Sequence, residues 1–352
     1  MGPDTYDATA RAIIALLKYG AGVPFYRLAK LEQLLDVPLA PSTQWDAVSQ
    51  LADQIEPAVK ELIRQAAQGD VLYNDDTFAR VLSLAKERNA AEVKKKRTGI
   101  FTTGIVSEVG SRRIALFFTG GQHAGENLTD LLQKRAAELA APVQMCDALN
   151  RNLPKDVAVR LANCMAHGRR HFVPLANSFP AEVRHILEQL GLVYKHDAEA
   201  KQASLTAAER LAYHQAKSGP VMEMLKEWLE QLTKQKSIEP NSALGEAIDY
   251  LLDHWQPLTL FLREPGAPLD NNICERALKR AILHRKNALF YKTQRGADVG
   301  DAFMSVIHTC ELNGVNPLDY LTALGEHPGE VAANPPAWLP WNFPNDRATP
   351  GT

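Results

Sequence analysis

Between Val71 and Phe118 the chain carries three runs rich in β-branched and aromatic residues, with helical texture on either side. Val71–Phe78, Gly99–Val109 and Arg113–Phe118 each read as a strand, and the Val-Gly-Ser turn at 109–111 sets off the last. Three strands with short connections predict an antiparallel meander. A helix over Glu126–Leu139 follows, then a fourth short strand, Pro142–Asp147. Alternation of Val157, Val159 and Leu161 supports a fifth. This order constrains the chain to an α/β fold, and it is the element order of an RNase H-like mixed sheet.

The flanks are helical. Ala8–Tyr19 ends at the Gly20–Pro24 break. Phe25–Leu35 is a short amphipathic segment, and Ser42-Thr43 can cap a third helix running to about Ile55. Short helix, turn and helix suit either a helix-turn-helix or a helical packing domain. From His171 to about Leu262, Ile186, Leu190, Leu225, Trp228, Leu229, Leu232, Leu251 and Leu252 keep helical registers. After the Pro265–Pro268 break come a helix at Asp270–His284, an alternating stretch at Ala288–Tyr291, and helices near 298–312 and 317–325. The tail from Pro328 holds Trp338 and Trp341, which predict docking on the surface. The expected layout is an N-terminal helical domain (1–68), the first part of a sheet core (69–170), a helical insertion (171–267), completion of the core (268–325) and a Pro/Trp tail (326–352).

Composition narrows the function classes. At 352 residues and 45% apolar, the chain can bury a sizeable core. A charged fraction of 23% excludes a wholly disordered chain or a long coiled coil. Thirty-nine Lys and Arg against 41 Asp and Glu leave a net charge of −2, which argues against a protein that coats nucleic acid with bulk positive charge. No run approaches the roughly 18 apolar residues of a membrane span. Four cysteines without a CxxC pair suit a reduced, cytosolic protein.

The chemistry of an RNase H-like sheet depends on clustered carboxylates. Two divalent ions about 4 Å apart activate an attacking oxygen and stabilise a leaving one in phosphoryl transfer. The expected acids are one on the first strand, one ending the fourth, and one opening a late helix. Asp75 and Asp76 lie on the first strand, where neighbours face opposite sides, so only one of them should reach a given site. Asp147 ends the fourth strand, and Glu275 lies in the first turn of the helix that begins Asp270-Asn-Asn-Ile-Cys-Glu. Each alone has a plain structural alternative: a strand-end Asp forms turns, and Glu275 can complete a capping box with Asn272 or pair with Lys279. Their joint order on fitting elements favours the catalytic reading.

Cations follow Glu275. Arg276, Lys279, Arg280, Arg285, Lys286, Lys292 and Arg295, with His284, contain no intervening acid, and Phe290 and Tyr291 are interleaved. Such cations neutralise phosphates, and aromatic faces stack on unpaired bases. Lys94–Arg97 is a weaker patch. Cys164-Met-Ala-His167 offers too few ligands for structural zinc and reads as a buried Cys and a polar His. His167, Arg169, Arg170 and His171 could touch phosphate.

Together these residues resemble the transposases of the IS66 insertion-sequence family. Asp270-Asn-Asn-Ile-Cys-Glu-Arg-Ala-Leu278 and Arg285-Lys-Asn-Ala-Leu-Phe290 resemble its DNN..ER and RKN..F signatures, and Cys164–Phe172 is similar to its C.AH.RR.F segment. Tyr19–Arg27, the Asn313–Pro317 turn and Trp338-Leu-Pro-Trp341 resemble further elements, so the likeness covers nearly the whole chain. The resemblance implies a DDE transposase with an all-helical insertion in an RNase H-like fold. It maps the catalytic, metal-binding acids onto Asp75, Asp147 and Glu275, with two Mg²⁺ or Mn²⁺ ions. DNA contacts fall on Arg276, Lys279, Arg280, Arg285, Lys286, Arg169 and Arg170, with Asp76, Asn271, Asn272 and His167 in support. The implied partners are the element's terminal inverted repeats and target DNA, a homo-oligomer on DNA, and accessory proteins of the same element. The expected location is the bacterial cytoplasm, at the nucleoid when bound to DNA. The family usually reads Asp-Glu-Thr where this chain has Asp75-Asp76-Thr77. The family's N-terminal Cys-containing DNA-binding segment is missing, so a truncated remnant that binds DNA or assembles without catalysis is the alternative expectation.

Overall fold

Helical and β textures follow one another largely in the expected order. The computed structural model describes residues 6–90, 99–235 and 238–343; the Lys94–Arg97 patch lies outside them. The elements are α1 (Ala8–Ala15), α2 (Phe25–Leu34), α3 (Pro41–Ala66), β1 (Val71–Phe78), α4 (Leu82–Ala90), β2 (Phe101–Val109), β3 (Arg112–Gly120) and α5 (Ala124–Leu132). Then come β4 (Val143–Cys146), β5 (Arg160–Asn163), α6 (Met165–Phe172), α7 (Pro180–Gln202), α8 (Ala207–Lys234), α9 (Ala243–Asp253) and α10 (Trp255–Leu258). The last helices are α11 (Asn272–Ala288), α12 (Gln294–Leu312), α13 (Pro317–Glu326) and α14 (Pro328–Ala333). The fold is α/β, with antiparallel and parallel strand pairing both present. Two compact units emerge: residues 1–140, 151–157 and 273–352 form one, and 141–150 with 158–272 the other.

In the first unit, Asp7 caps α1 by accepting the Ala10 N–H at 2.7 Å. α1 continues into a π-turn at Leu16–Gly20. The sequence places the end of α3 near Ile55, yet the helix passes through Pro57 to Ala66. Leu51, Ile55, Ala58, Leu62 and Ala66 are all fully buried and continue one apolar stripe. That burial outweighs the single hydrogen bond lost at Pro57. α1 packs on α3 and α13, and α3 on α12, α13 and α14, so α3 has packing partners within its own unit. The tail is docked as expected: Tyr320 donates to the Trp338 carbonyl, and the Arg112 guanidinium lies 5.0 Å from the Trp341 ring centre.

β1, β2 and β3 form the antiparallel meander, with Asp75 opposite Gly104 and Asp76 opposite Thr103. The outer side of β3 is covered by α12 in a regular way. The N–H groups of Thr119, Phe117, Ala115 and Arg113 donate to the side chains of Asp301, Ser305, Thr309 and Asn313. Four helical residues advance about 6 Å and two strand residues about 6.8 Å, so every fourth residue of α12 meets every second residue of β3. A strand edge that would otherwise present open N–H groups is thereby closed by a helix.

Besides α3, two expected elements differ: the fifth strand, read from the alternation of Val157, Val159 and Leu161, runs over Arg160–Asn163, and the helix after the meander is shifted. The helix predicted over Glu126–Leu139 starts at Ala124 and ends at Leu132. Its N-cap is His123, whose N–H donates to the Glu126 carboxylate at 2.9 Å. The alternating stretch Ala288–Tyr291 makes an isolated bridge, Tyr291 with Val81.

In the second unit β4 and β5 pair in parallel, Val143 opposite Arg160 through Cys146 opposite Asn163. The remainder is helical, as expected. α7 and α8 form a hairpin packed through Val183, Ile186, Leu190 and Val193 on one side and Met222, Leu225 and Leu229 on the other. Asp197 on α7 clamps it, bonding Arg210 at 2.6 Å, Lys201 at 2.7 Å and His214 at 3.3 Å. Burial alone would raise the Asp197 pKa, but these partners hold it well below the usual carboxylate range.

Candidate functional site

The β1–β2 register separates the two adjacent acids. Residues directly opposite in an antiparallel pair share a face. Gly104, opposite Asp75, lies under α11: a Cβ built there would meet Leu278 at 3.0 Å and the Cys274 sulfur at 3.5 Å. The Cys274 thiol donates to the Gly104 carbonyl at 3.3 Å. Asp75 therefore projects on the face that carries α11, with Glu275 in that helix's first turn next to Cys274. Asp75 is half-buried, and one of its carboxylate oxygens accepts the Asp76 N–H at 2.8 Å.

Asp76 points to the opposite face. Its side chain is 1% exposed, bonded to His123 Nδ1 at 2.8 Å and 3.4 Å from Arg151. On the same face Asn127 of α5 donates to Thr103 at 2.8 Å, and Asn74 donates to the Asn152 carbonyl at 2.9 Å. The Asp76 carboxylate is thus committed to protein partners.

The cations predicted after Glu275 divide into two sets. Arg276, Lys279 and Lys286 are exposed on α11. Arg280 is held by Glu311, and Arg295 by Asp53. Arg285 reaches back to β1, donating to the Thr77 hydroxyl at 3.1 Å and to the Phe78 carbonyl. Thr77 lies two residues beyond Asp75 and shares its face. His284 is buried and accepts from Lys18 Nζ at 2.9 Å. Burial, then the Lys18 charge, lowers the His284 pKa to about 3, and burial lowers that of Lys18 to about 8.

In the second unit Asp147 follows β4 directly and is half-buried. Tyr250 of α9 stands near it: burial, then the Asp147 charge, pushes the Tyr250 hydroxyl up to about 12. His171 and His254 flank that ring at 4.2 and 4.7 Å. α6 carries Arg169 and Arg170, both exposed, and Arg170 lies 3.1 Å from His167 Nε2. Cys164 is the residue before α6. It accepts the Asn271 N–H at 3.3 Å, and burial pushes its thiol up to about 11, so it stays protonated at neutral pH. Asn271 is fully buried, and the Asn272 N–H bonds the Asp270 carboxylate at 3.1 Å.

Sequence reasoning missed His123, Arg151 and Tyr250. The His-x-x-Glu spacing at 123–126 carries a capping signal for the first; the others lie far from their partners in sequence and carry none. Within the first unit, the carboxylates of Asp75 and Glu275 have the donor chemistry that suits a hard divalent ion such as Mg²⁺ or Mn²⁺, which prefers carboxylate oxygens. Asp76, saturated by His123 and Arg151, suits one less well.

Comparison with known proteins agrees with the motifs. The family model described as "Transposase IS66 family" matches residues 4–299. Two proteins of Sinorhizobium fredii, described as uncharacterized proteins y4hP and y4qI, are 29% and 27% identical over 93% and 95% of this chain. A third from that organism, y4jD, is 34% identical over 57% of the chain. The chain spans 62% of the length of y4hP and of y4qI. A family match running from the N-terminal helices into α12, across every predicted acid and cation, has one reading: this chain belongs to the IS66 transposase family.

Proposed function

We propose that the chain is the catalytic core of a DDE-type transposase, cutting DNA at the ends of an insertion sequence and joining the exposed 3′-hydroxyl to target DNA. The observation that carries the reading is the register around Gly104. In a member of this family, it turns Asp75 toward the helix bearing Glu275 and commits Asp76 to the other face. The element order supports an RNase H-like core, with residues 171–267 as its helical insertion and 1–68 and 326–352 as flanking elements.

Asp75, Asp147 and Glu275 act as the catalytic and metal-binding carboxylates. These carboxylates would hold Mg²⁺ or Mn²⁺, a pair of which would supply activation of the attacking oxygen and charge stabilisation on the leaving oxygen. In the cutting step water attacks the phosphorus, the bond to the 3′-oxygen breaks, and that oxygen takes up a proton. In the joining step the 3′-hydroxyl loses its proton and displaces a target 3′-oxygen in line. Arg276, Lys279 and Lys286 neutralise phosphates from the exposed side of α11, and Arg169 and Arg170 do so from α6. Arg285 fixes the end of β1, and Asn271 and Asn272 fix the approach to α11. DNA ends, target DNA and further copies of the chain are the expected partners, in the bacterial cytoplasm.

The test is incubation with a duplex carrying the element's terminal repeat. The expected result is a nick with a free 3′-hydroxyl that requires Mg²⁺ and disappears on chelation. DNA binding without cleavage, indifferent to metal and to Asp147→Ala or Glu275→Ala, would instead establish a non-catalytic DNA-binding remnant.

A further inference from the structure

A shallow, open surface depression in the first unit lies where the end of β1 meets the segment after α11. Its lining includes Phe78, Arg80, Arg285, Leu289, Phe290 and Tyr291, and it contains no acid. The apolar groups are outside: Phe78 is 55%, Leu289 60% and Phe290 37% exposed. Clustered large apolar side chains at a surface mark a contact with something else.

The backbone that presents them is fixed. Leu289 N–H bonds the Arg285 carbonyl at 2.9 Å and Phe290 N–H that of Ala288 at 2.8 Å. Tyr291 bonds back to the chain after β1, its N–H to Arg80 at 2.8 Å and its carbonyl to the Leu82 N–H at 2.9 Å. Leu289 is held at φ +69°, a left-handed conformation unfavourable for a bulky residue. Below the rim, Tyr291 stacks on buried His284 at 4.5 Å and 14°. The rings are thus set on a rigid base rather than on a floppy loop.

Charge and position together select the occupant. Arg80 is exposed, and Arg285 ties the depression to Thr77, two residues along β1 from Asp75. Aromatic faces edged by arginines suit a ring attached to a phosphate. We propose that this depression receives an unpaired nucleobase of the DNA strand engaged at Asp75, stacked on Phe290 beside Phe78, with its flanking phosphate on Arg80. The proposal rests on the transposase reading and deepens it: beyond phosphates, the protein holds a base taken out of the duplex, which costs least at a frayed or cut end.

The test compares a labelled decathymidylate oligonucleotide with an abasic oligonucleotide of the same phosphate number, by fluorescence anisotropy in EDTA on the whole chain. The wild type should bind the thymidylate on the order of 10-fold more tightly. Phe290→Ala should bring the thymidylate to within about 2-fold of the abasic strand, whereas Phe290→Tyr keeps the preference. Arg80→Ala should weaken both strands alike. Phe78→Ala serves as the second probe should thermal melting show Phe290→Ala unfolded. Equal affinity of the wild type for both strands, or a preference that survives both alanine variants, overturns the proposal. If the preference is absent while Mg²⁺-dependent cleavage of DNA ends persists, the base site alone fails. If the chain binds neither strand and cuts no DNA end, the transposase reading fails with it.

Discussion

Asp75 and Asp76 are neighbours in β1, yet the first faces the helix bearing Glu275 and the second is sealed between His123 and Arg151. Asp76→Ala would strand two polar partners, so it should lower unfolding free energy by about 1–3 kcal/mol and the melting temperature by several degrees. Asp75→Asn should stay within about 0.5 kcal/mol of wild type while removing cleavage. Asp301 adds a pH signature. Burial raises its carboxyl to about 7, so between pH 4 and 7 the native state holds a proton that the unfolded chain has lost. Its contribution is therefore present at acid pH and is lost as pH rises to 7. His284, lowered to about 3, works oppositely: stability is lost as pH falls from 6.5 toward 3. Asp301→Asn should thus lose stability more steeply on acidification from pH 6.5 to 4 than wild type does, in denaturant melts at fixed salt. The acids themselves were legible in the sequence because strand and helix periodicity place them. Their faces were not, because facing depends on which residue of β2 lies opposite, and no local pattern announces Gly104.

At the scale of elements, α12 and β3 test how a helix can stand in for a strand. Ser305→Ala removes the acceptor of the Phe117 N–H and leaves a buried donor open. It should cost about 1–3 kcal/mol, whereas Ser305→Thr, which keeps the hydroxyl, should cost less; denaturant titration separates them. Gly104→Val would press a side chain into Leu278, already 3.0 Å from a Cβ there. An overpacking cost of about 1–3 kcal/mol and a shifted first turn of α11 are expected, so cleavage should fall more than thermal stability does. Strands with clear alternation were legible at nearly correct bounds, as in β1. Helices whose ends depend on capping or burial were not: α5 starts early because His123 caps it, and α3 continues because Ala58, Leu62 and Ala66 are covered by tertiary partners. The Ala288–Tyr291 alternation answers to a rim of exposed side chains.

For the whole molecule, a net charge of −2 conceals a local division. Exposed Arg276, Lys279 and Lys286 follow Glu275 on one helix, while Arg280 and Arg295 are spent on Glu311 and Asp53. Alanine at each of the first three should reduce the slope of log K for DNA against log salt by up to about 0.9, and alanine at Arg280 should change it less. Anisotropy titrations across salt concentration measure this. The most direct test of the account is cleavage of a terminal-repeat duplex in Mg²⁺ by Asp75→Asn, Asp147→Asn, Glu275→Gln and Asp76→Asn, alongside metal-free DNA binding. The account predicts that the first three lose about 100-fold or more in cleavage rate with binding nearly unchanged, while folded Asp76→Asn still cuts. Wild-type cutting by any of the first three, or loss of cutting by a fully folded Asp76→Asn, would contradict it.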